Sequence, residues 1–171
     1  MARKREAKVD TEAGKTKDLK IISVQVITKD KVMSNERQMA LLYIIDKFGP
    51  LYERALQQVV YDLQQLGAPL GYEFKVIAGV PYSPEFKNDL VALGYVGFIE
   101  YTPNKKVRVT NDGKDALEKK GAPKGVVEVV ERHFEEVRNK ATIYDYKVDE
   151  GVRRMKTLRR GEGRRLFGLR V

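Results

Sequence analysis

Four helical periodicities and one hairpin follow each other between residues 34 and 120, and that order leaves few folds open. Leu41, Ile44, Ile45 and Phe48 recur at i, i+3, i+4, i+7, behind a capping Ser34 or Asn35 and ahead of a Gly49-Pro50 stop. Tyr52, Ala55, Leu56, Val59, Val60, Leu63 and Leu66 share one face of a second helix, which Gly67 ends. Residues 72–78 read as a short extended segment. Ser83 as N-cap and Pro84 at the first helical position open a third helix, which turns Phe86, Leu90 and Leu93 inward and stops at Gly94. Two alternating runs come next, 96–101 with Ile99 and Tyr101, and 106–110 with Val107 and Val109. Between them lies Thr102-Pro103-Asn104-Lys105, a hairpin turn. Thr110 caps a fourth helix, 111–120, with Ala116 and Leu117 inside and Gly113 in its first turn, where close approach to a neighbouring helix favours glycine.

Elements are expected on both sides of this block. Ile22, Val24 and Val26 alternate over 21–28, which predicts an extra N-terminal strand. After the Gly121-Ala122-Pro123-Lys124-Gly125 break, Val126, Val127, Val130, Phe134 and Val137 predict a last helix over about 125–140 or onward. The expected organisation is α+β: an arm at 1–20, a domain at 21–120, a C-terminal helix within 121–146 and a second arm at 147–171.

One stretch carries a resemblance. It runs Gly79-Val80-Pro81-Tyr82-Ser83-Pro84-Glu85-Phe86, then Asp89-Leu90, then Leu93-Gly94-Tyr95-Val96. Beyond the hairpin come Val109-Thr110-Asn111-Asp112-Gly113 and Leu117. The chain resembles the small archaeal and bacterial winged helix-turn-helix proteins whose third helix is introduced by a Gly-Pro-Tyr-Ser signature, here with Val80 inserted. Its hairpin ending is similar to the Leu-Thr-x-x-Gly-x-x-x-Leu pattern of winged-helix regulators. The match spans residues 37–120. It implies a winged helix-turn-helix domain whose third helix enters a major groove and whose hairpin, the wing, touches the minor groove or backbone.

Charge points to a polyanionic partner. Residues 1–20 hold seven basic and four acidic residues, and 147–171 hold nine and three, so the two arms carry the whole net +9 of the chain. The middle, 21–146, carries 17 of each sign. A neutral body with two cationic arms suits phosphate neutralisation, although a solvated tail is the plain alternative.

The candidate nucleic-acid-binding residues fall in four groups. Arg3, Lys4 and Arg5 belong to the first arm. On the third helix the outward positions are Glu85, Lys87, Asn88, Val91 and Ala92, of which Lys87 and Asn88 suit base edges while Glu85 opposes a phosphate. Asn104, Lys105, Lys106 and Arg108 cluster at the hairpin tip, where lysines equally serve to keep an edge strand soluble. Arg153, Arg154, Lys156, Arg159, Arg160, Arg164, Arg165 and Arg170 punctuate a glycine-bearing segment that suits extended threading along phosphates, with Phe167 free to stack or dock. A helical continuation with a basic face, or packing in a dimer, would use the same residues. If about six phosphates are engaged, log K falls with log salt at a slope of about −4 to −5.

Other chemistry finds little support. Zero cysteines exclude disulfides and thiolate metal sites. The one histidine, His133, falls on the polar side of the last helix and pairs with no nucleophile. Gly14-Lys15-Thr16 ends like a phosphate-binding loop, but position 9 is Val where that loop needs glycine. No catalytic residue, metal or cofactor is expected. No apolar run approaches membrane-spanning length, so a cytoplasmic protein without a membrane partner is expected. The first expectation is a DNA-binding transcriptional regulator or architectural factor, as a possible homodimer. An RNA-binding, ribosome-associated protein within a large ribonucleoprotein is the alternative, and a protein-interaction module the second alternative.

Overall fold

Thr28 and Asn35, both in extended backbone, each start a helix. The computed structural model describes residues 27–167. Most of the expected strand 21–28 lies outside them, as do Arg3, Lys4, Arg5 and Arg170. The Thr28 hydroxyl accepts from the Lys31 N–H at 3.4 Å and opens α1 (Lys29–Ser34), a helix too short for its periodicity to register in sequence. Asn35 Oδ1 accepts from the N–H groups of Arg37 (3.1 Å) and Gln38 (3.4 Å) and opens α2 (Glu36–Phe48). Met39, Ala40, Leu41, Leu42, Ile44 and Ile45 are all buried, so α2 is the central helix. It packs against α1, against three of the helices that follow and against one strand.

After Gly49 come β1 (Leu51–Tyr52) and α3 (Glu53–Gln65), whose Ala55, Leu56, Val59, Val60 and Leu63 are buried as their spacing requires. An unexpected hairpin follows, β2 (Lys75–Ile77) and β3 (Val80–Tyr82), paired antiparallel with Val76 opposite Pro81. Its two-residue turn puts both Ala78 (φ 51°) and Gly79 (φ 76°) in left-handed backbone. Ser83 then caps α4 (Pro84–Tyr95), its hydroxyl accepting from the Phe86 N–H at 3.4 Å.

The end of α4 differs from expectation. Gly94 lies inside the helix, and the left-handed stop is Gly97 (φ 80°). Phe98 N–H donates to the Leu93 carbonyl (3.0 Å) and Gly97 N–H to the Gly94 carbonyl (3.1 Å), the paired bonds of a glycine-terminated helix end. Strands β4 (Ile99–Tyr101) and β5 (Lys106–Val109) form the expected hairpin, and β5 also pairs with β1, giving a three-stranded antiparallel sheet in the order β1-β5-β4. Thr110 caps α5 (Asn111–Lys120) by accepting from the Gly113 N–H at 3.2 Å.

The C-terminal region is two helices, not one. His133 (φ −110°) separates α6 (Lys124–Arg132) from α7 (Phe134–Phe167). Val126 and Val130 of α6, with Val137 and Ala141 of α7, complete the same core that α2 centres, and Phe48 meets Phe134 with ring centroids 5.5 Å apart. The fold is therefore α+β around one core. Helix α7 runs 34 residues, so positions 147–167 are helical rather than the extended segment expected of them. Two i,i+4 pairs support that backbone: Asp149 with Arg153 at 2.8 Å and Glu150 with Arg154 at 2.6 Å. No helix among the described residues is long and apolar enough to cross a membrane.

Candidate nucleic-acid interface

A buried carboxylate sets the position of α4. Asp89 is 4% exposed and accepts from Arg37 Nε (2.7 Å), Gln38 Nε2 (2.9 Å) and the Tyr72 hydroxyl (3.1 Å). The Arg37 guanidinium also stacks over the Tyr72 ring, 5.1 Å from its centroid, and its Nη1 reaches Glu85 at 3.5 Å. Burial, then the Asp89 charge, push the Tyr72 hydroxyl well above the ordinary tyrosine range. The cluster ties α2, the loop after α3 and α4 together with every strong donor aimed at one acidic group. Glu85 is thereby drawn toward Arg37 and is only half exposed.

The outward face of α4 holds few polar groups. Lys87 and Asn88 are exposed, with Lys87 Nζ 3.9 Å from Glu53. Val91 is exposed, but Ala92, expected outside, is buried at the junction with the core. Tyrosine fills the gap. Tyr95 is 65% exposed at the end of the helix, and Tyr82 and Tyr101 are exposed beside its two neighbouring strands. Burial and the Glu53 carboxylate raise the Tyr101 hydroxyl above its usual range. Sequence alternation sets Tyr101 beside Ile99, yet Ile99 is buried and Tyr101 is exposed, while Tyr95 lies beyond the expected stop at Gly94.

The hairpin divides its cations. Lys105 is exposed at the turn, with φ 62°, and no described side chain pairs with it. Arg108 bridges Glu100 across the strand pair at 2.6 Å. Lys106 turns away from the tip: its ammonium donates to Asp145 of α7 and lies 5.1 Å above the Tyr52 ring. The sequence places Lys106 with Lys105 at a basic tip; in the structure its ammonium is ion-paired to Asp145 and partly buried. Tyr52 adds two further ties to α7, its N–H to Asp145 at 2.9 Å and its hydroxyl to Asp149 at 2.8 Å. Tyr144 donates to Asp62 of α3 at 3.1 Å.

On α7 the arginines 153 and 154 are strongly exposed, at 78% and 75%, despite their i,i+4 carboxylates. Lys156, Arg159, Arg160, Arg164 and Arg165 follow on the same helix backbone. Val137, Ala141, Tyr144, Val148 and Val152 form the stripe that faces the body, and Met155 continues it, yet Met155 is 59% exposed. The structure brings Lys105 and the middle of α7 to one side of the molecule, where both line a common cleft. His133 sits at the α6–α7 break, half exposed, with Nδ1 3.8 Å from Glu136. No group of three or more His, Asp or Glu side chains converges as a metal site among the described residues. No protein-family model, curated protein or solved structure matches the chain.

Proposed function

We propose that this chain is a winged helix-turn-helix protein that binds duplex DNA chiefly through its backbone, as a regulator or architectural factor. The observation that carries the reading is topological. Helices α2, α3 and α4 precede a β4–β5 hairpin, and β5 lies between β1 and β4. In that arrangement α4 is the groove-facing helix and the Thr102–Lys105 turn is the wing tip. Base readout is thin, because Lys87 and Asn88 are the two polar groups exposed on α4 that suit base edges. Phosphate contacts fall instead to Lys105 and Arg108 on the hairpin and to the basic run of α7 from Arg153 onward. Affinity is then salt-sensitive and modestly selective.

A second reading rests on Tyr82, Tyr95 and Tyr101. Three exposed tyrosines around a sparsely charged helix suit stacking on unpaired bases, as in a ribonucleoprotein.

Fluorescence anisotropy on matched duplex DNA, duplex RNA and structured RNA across a salt series separates the two. Duplex DNA bound with a log–log slope of about −5, weakened about tenfold or more by replacing Arg159, Arg160, Arg164 and Arg165 with Gln, supports the proposal. Preference for structured RNA lost on Tyr95→Ala but kept on Tyr95→Phe favours the second. Absence of salt-dependent binding to all three overturns both.

A further inference from the structure

A cleft of about 720 Å³ opens between the start of α3, the β2–β3 turn, the hairpin tip and α7. Its floor is apolar, built from Ala55, Val80, Val148, Val152 and Met155. Three cations stand around it, one from each of three elements: Arg54 on α3, Lys105 at the hairpin turn and Lys147 on α7. None of the three pairs with a described side chain. No carboxylate among the described residues lines the cleft. Asp62, the nearest acid by sequence on that face of α3, is already held by the Tyr144 hydroxyl at 3.1 Å and the Gln58 amide at 3.1 Å.

We propose that this cleft binds a small amphipathic anion, an apolar ring system or short chain bearing a single sulfonate, carboxylate or phosphate. Its size falls in the range that encloses most of a small organic ligand. The charge asymmetry argues for the anion: three cations around a cleft that no described carboxylate lines repel one another, and a bound anion relieves that repulsion. The floor argues for the apolar body, since a free inorganic anion would leave Val148, Val152 and Met155 in water. An occupant would touch the hairpin tip and α7 together. It would therefore report on the two parts of the molecule that the wing–helix tie of Lys106 and Asp145 already joins.

Two dyes with the same apolar body test this on the full chain: 1-anilinonaphthalene-8-sulfonate and its uncharged relative N-phenyl-1-naphthylamine. The sulfonate is expected to bind one-to-one, and the neutral dye about tenfold or more weaker. Arg54→Gln with Lys147→Gln should weaken the sulfonate about tenfold and leave the neutral dye unchanged. Both positions are exposed, so folding is not at stake, and an unchanged circular dichroism melt checks it. Val152→Trp, which fills the floor, should reduce both dyes. Equal binding of the two dyes overturns the proposal, as does full sulfonate binding by the Arg54/Lys147 double variant. Stoichiometric displacement of the sulfonate by duplex DNA would assign the cleft to nucleic acid and also overturn it.

Discussion

Lys106 on the central strand β5 and Asp145 on α7 form an ion pair that crosses 39 residues of sequence, with both side chains largely withdrawn from water. The pair lies beside Tyr52, so one small area joins β1, β5 and α7. Lys106→Met should therefore lower stability by about 1–2 kcal/mol, because it leaves the Asp145 carboxylate half-buried without its cation. Its effect on DNA affinity should be small. Lys105→Ala, one position earlier, should do the reverse, with an unchanged melting temperature and a shallower salt slope. Thermal melts and anisotropy on the two single variants check both halves.

Gly113 tests the packing of the hairpin against α5. A Cβ built there would lie 2.3 Å from the Phe98 carbonyl oxygen and 2.7 Å from Val109 Cγ1. Neither neighbour can yield cheaply, since one is backbone and the other is packed in the strand. Gly113→Ala should destabilise by about 2–3 kcal/mol even though alanine is the better helix former. A denaturant titration with unchanged m-value measures it. The need for glycine was legible in sequence, but its cause was not. The close neighbour is the start and end of the hairpin, not another helix, and a contact between residues 98 and 113 depends on how the strands fold back.

Tyr72 predicts an alkaline limit. Unfolded, a tyrosine loses its proton at about pH 10. Folded, Tyr72 holds it to higher pH, because it is buried against the Asp89 carboxylate. Its contribution is intact below about pH 10 and is lost as the pH rises past that value, since the unfolded chain then binds fewer protons. Tyr72→Phe should cost about 1 kcal/mol at neutral pH and flatten the alkaline decline. Asp89 keeps Arg37 and Gln38 in that variant. Stability measured from pH 8 to 11 for both proteins decides the matter.

Asp149 predicts the acid limb. The Tyr52 hydroxyl, then Arg153, hold its carboxyl below the ordinary aspartate range. The contribution is present above the unfolded value of about 3.9 and fades as the pH falls below it, because the folded chain resists the proton that the unfolded chain takes up. Asp149→Asn should remove that part of the acid dependence. Hydrogen exchange along α7 between pH 3 and 5 would locate the loosening at the Tyr52 contact.

What sequence could and could not disclose divides along range. Caps and apolar spacing are local, so Asn35, Ser83 and Thr110 start helices where their side chains said they would. The helix end at Gly97 was hidden by Gly94, because only the backbone angle tells a glycine that stops a helix from one carried inside it. The β2–β3 hairpin was hidden by Ala78, a residue that seldom takes left-handed backbone. The candidate interface was the least legible. Lys105 and Lys106 are neighbours of the same charge, and nothing local says that one faces solvent and the other belongs to Asp145.

The helicity of α7 changes how far a basic run can reach. An extended chain advances about 3.3 Å per residue, whereas a helix advances about 1.5 Å. From Arg153 to Phe167 the backbone therefore spans about 21 Å rather than about 46 Å. On B-form DNA, at about 3.4 Å per base pair, that is the difference between a footprint of about 6 base pairs and one of about 14. If the chain binds a duplex as proposed, the helical backbone fixes the distance between this basic run and the hairpin, so the spacing between the two contacts becomes a property of the folded molecule.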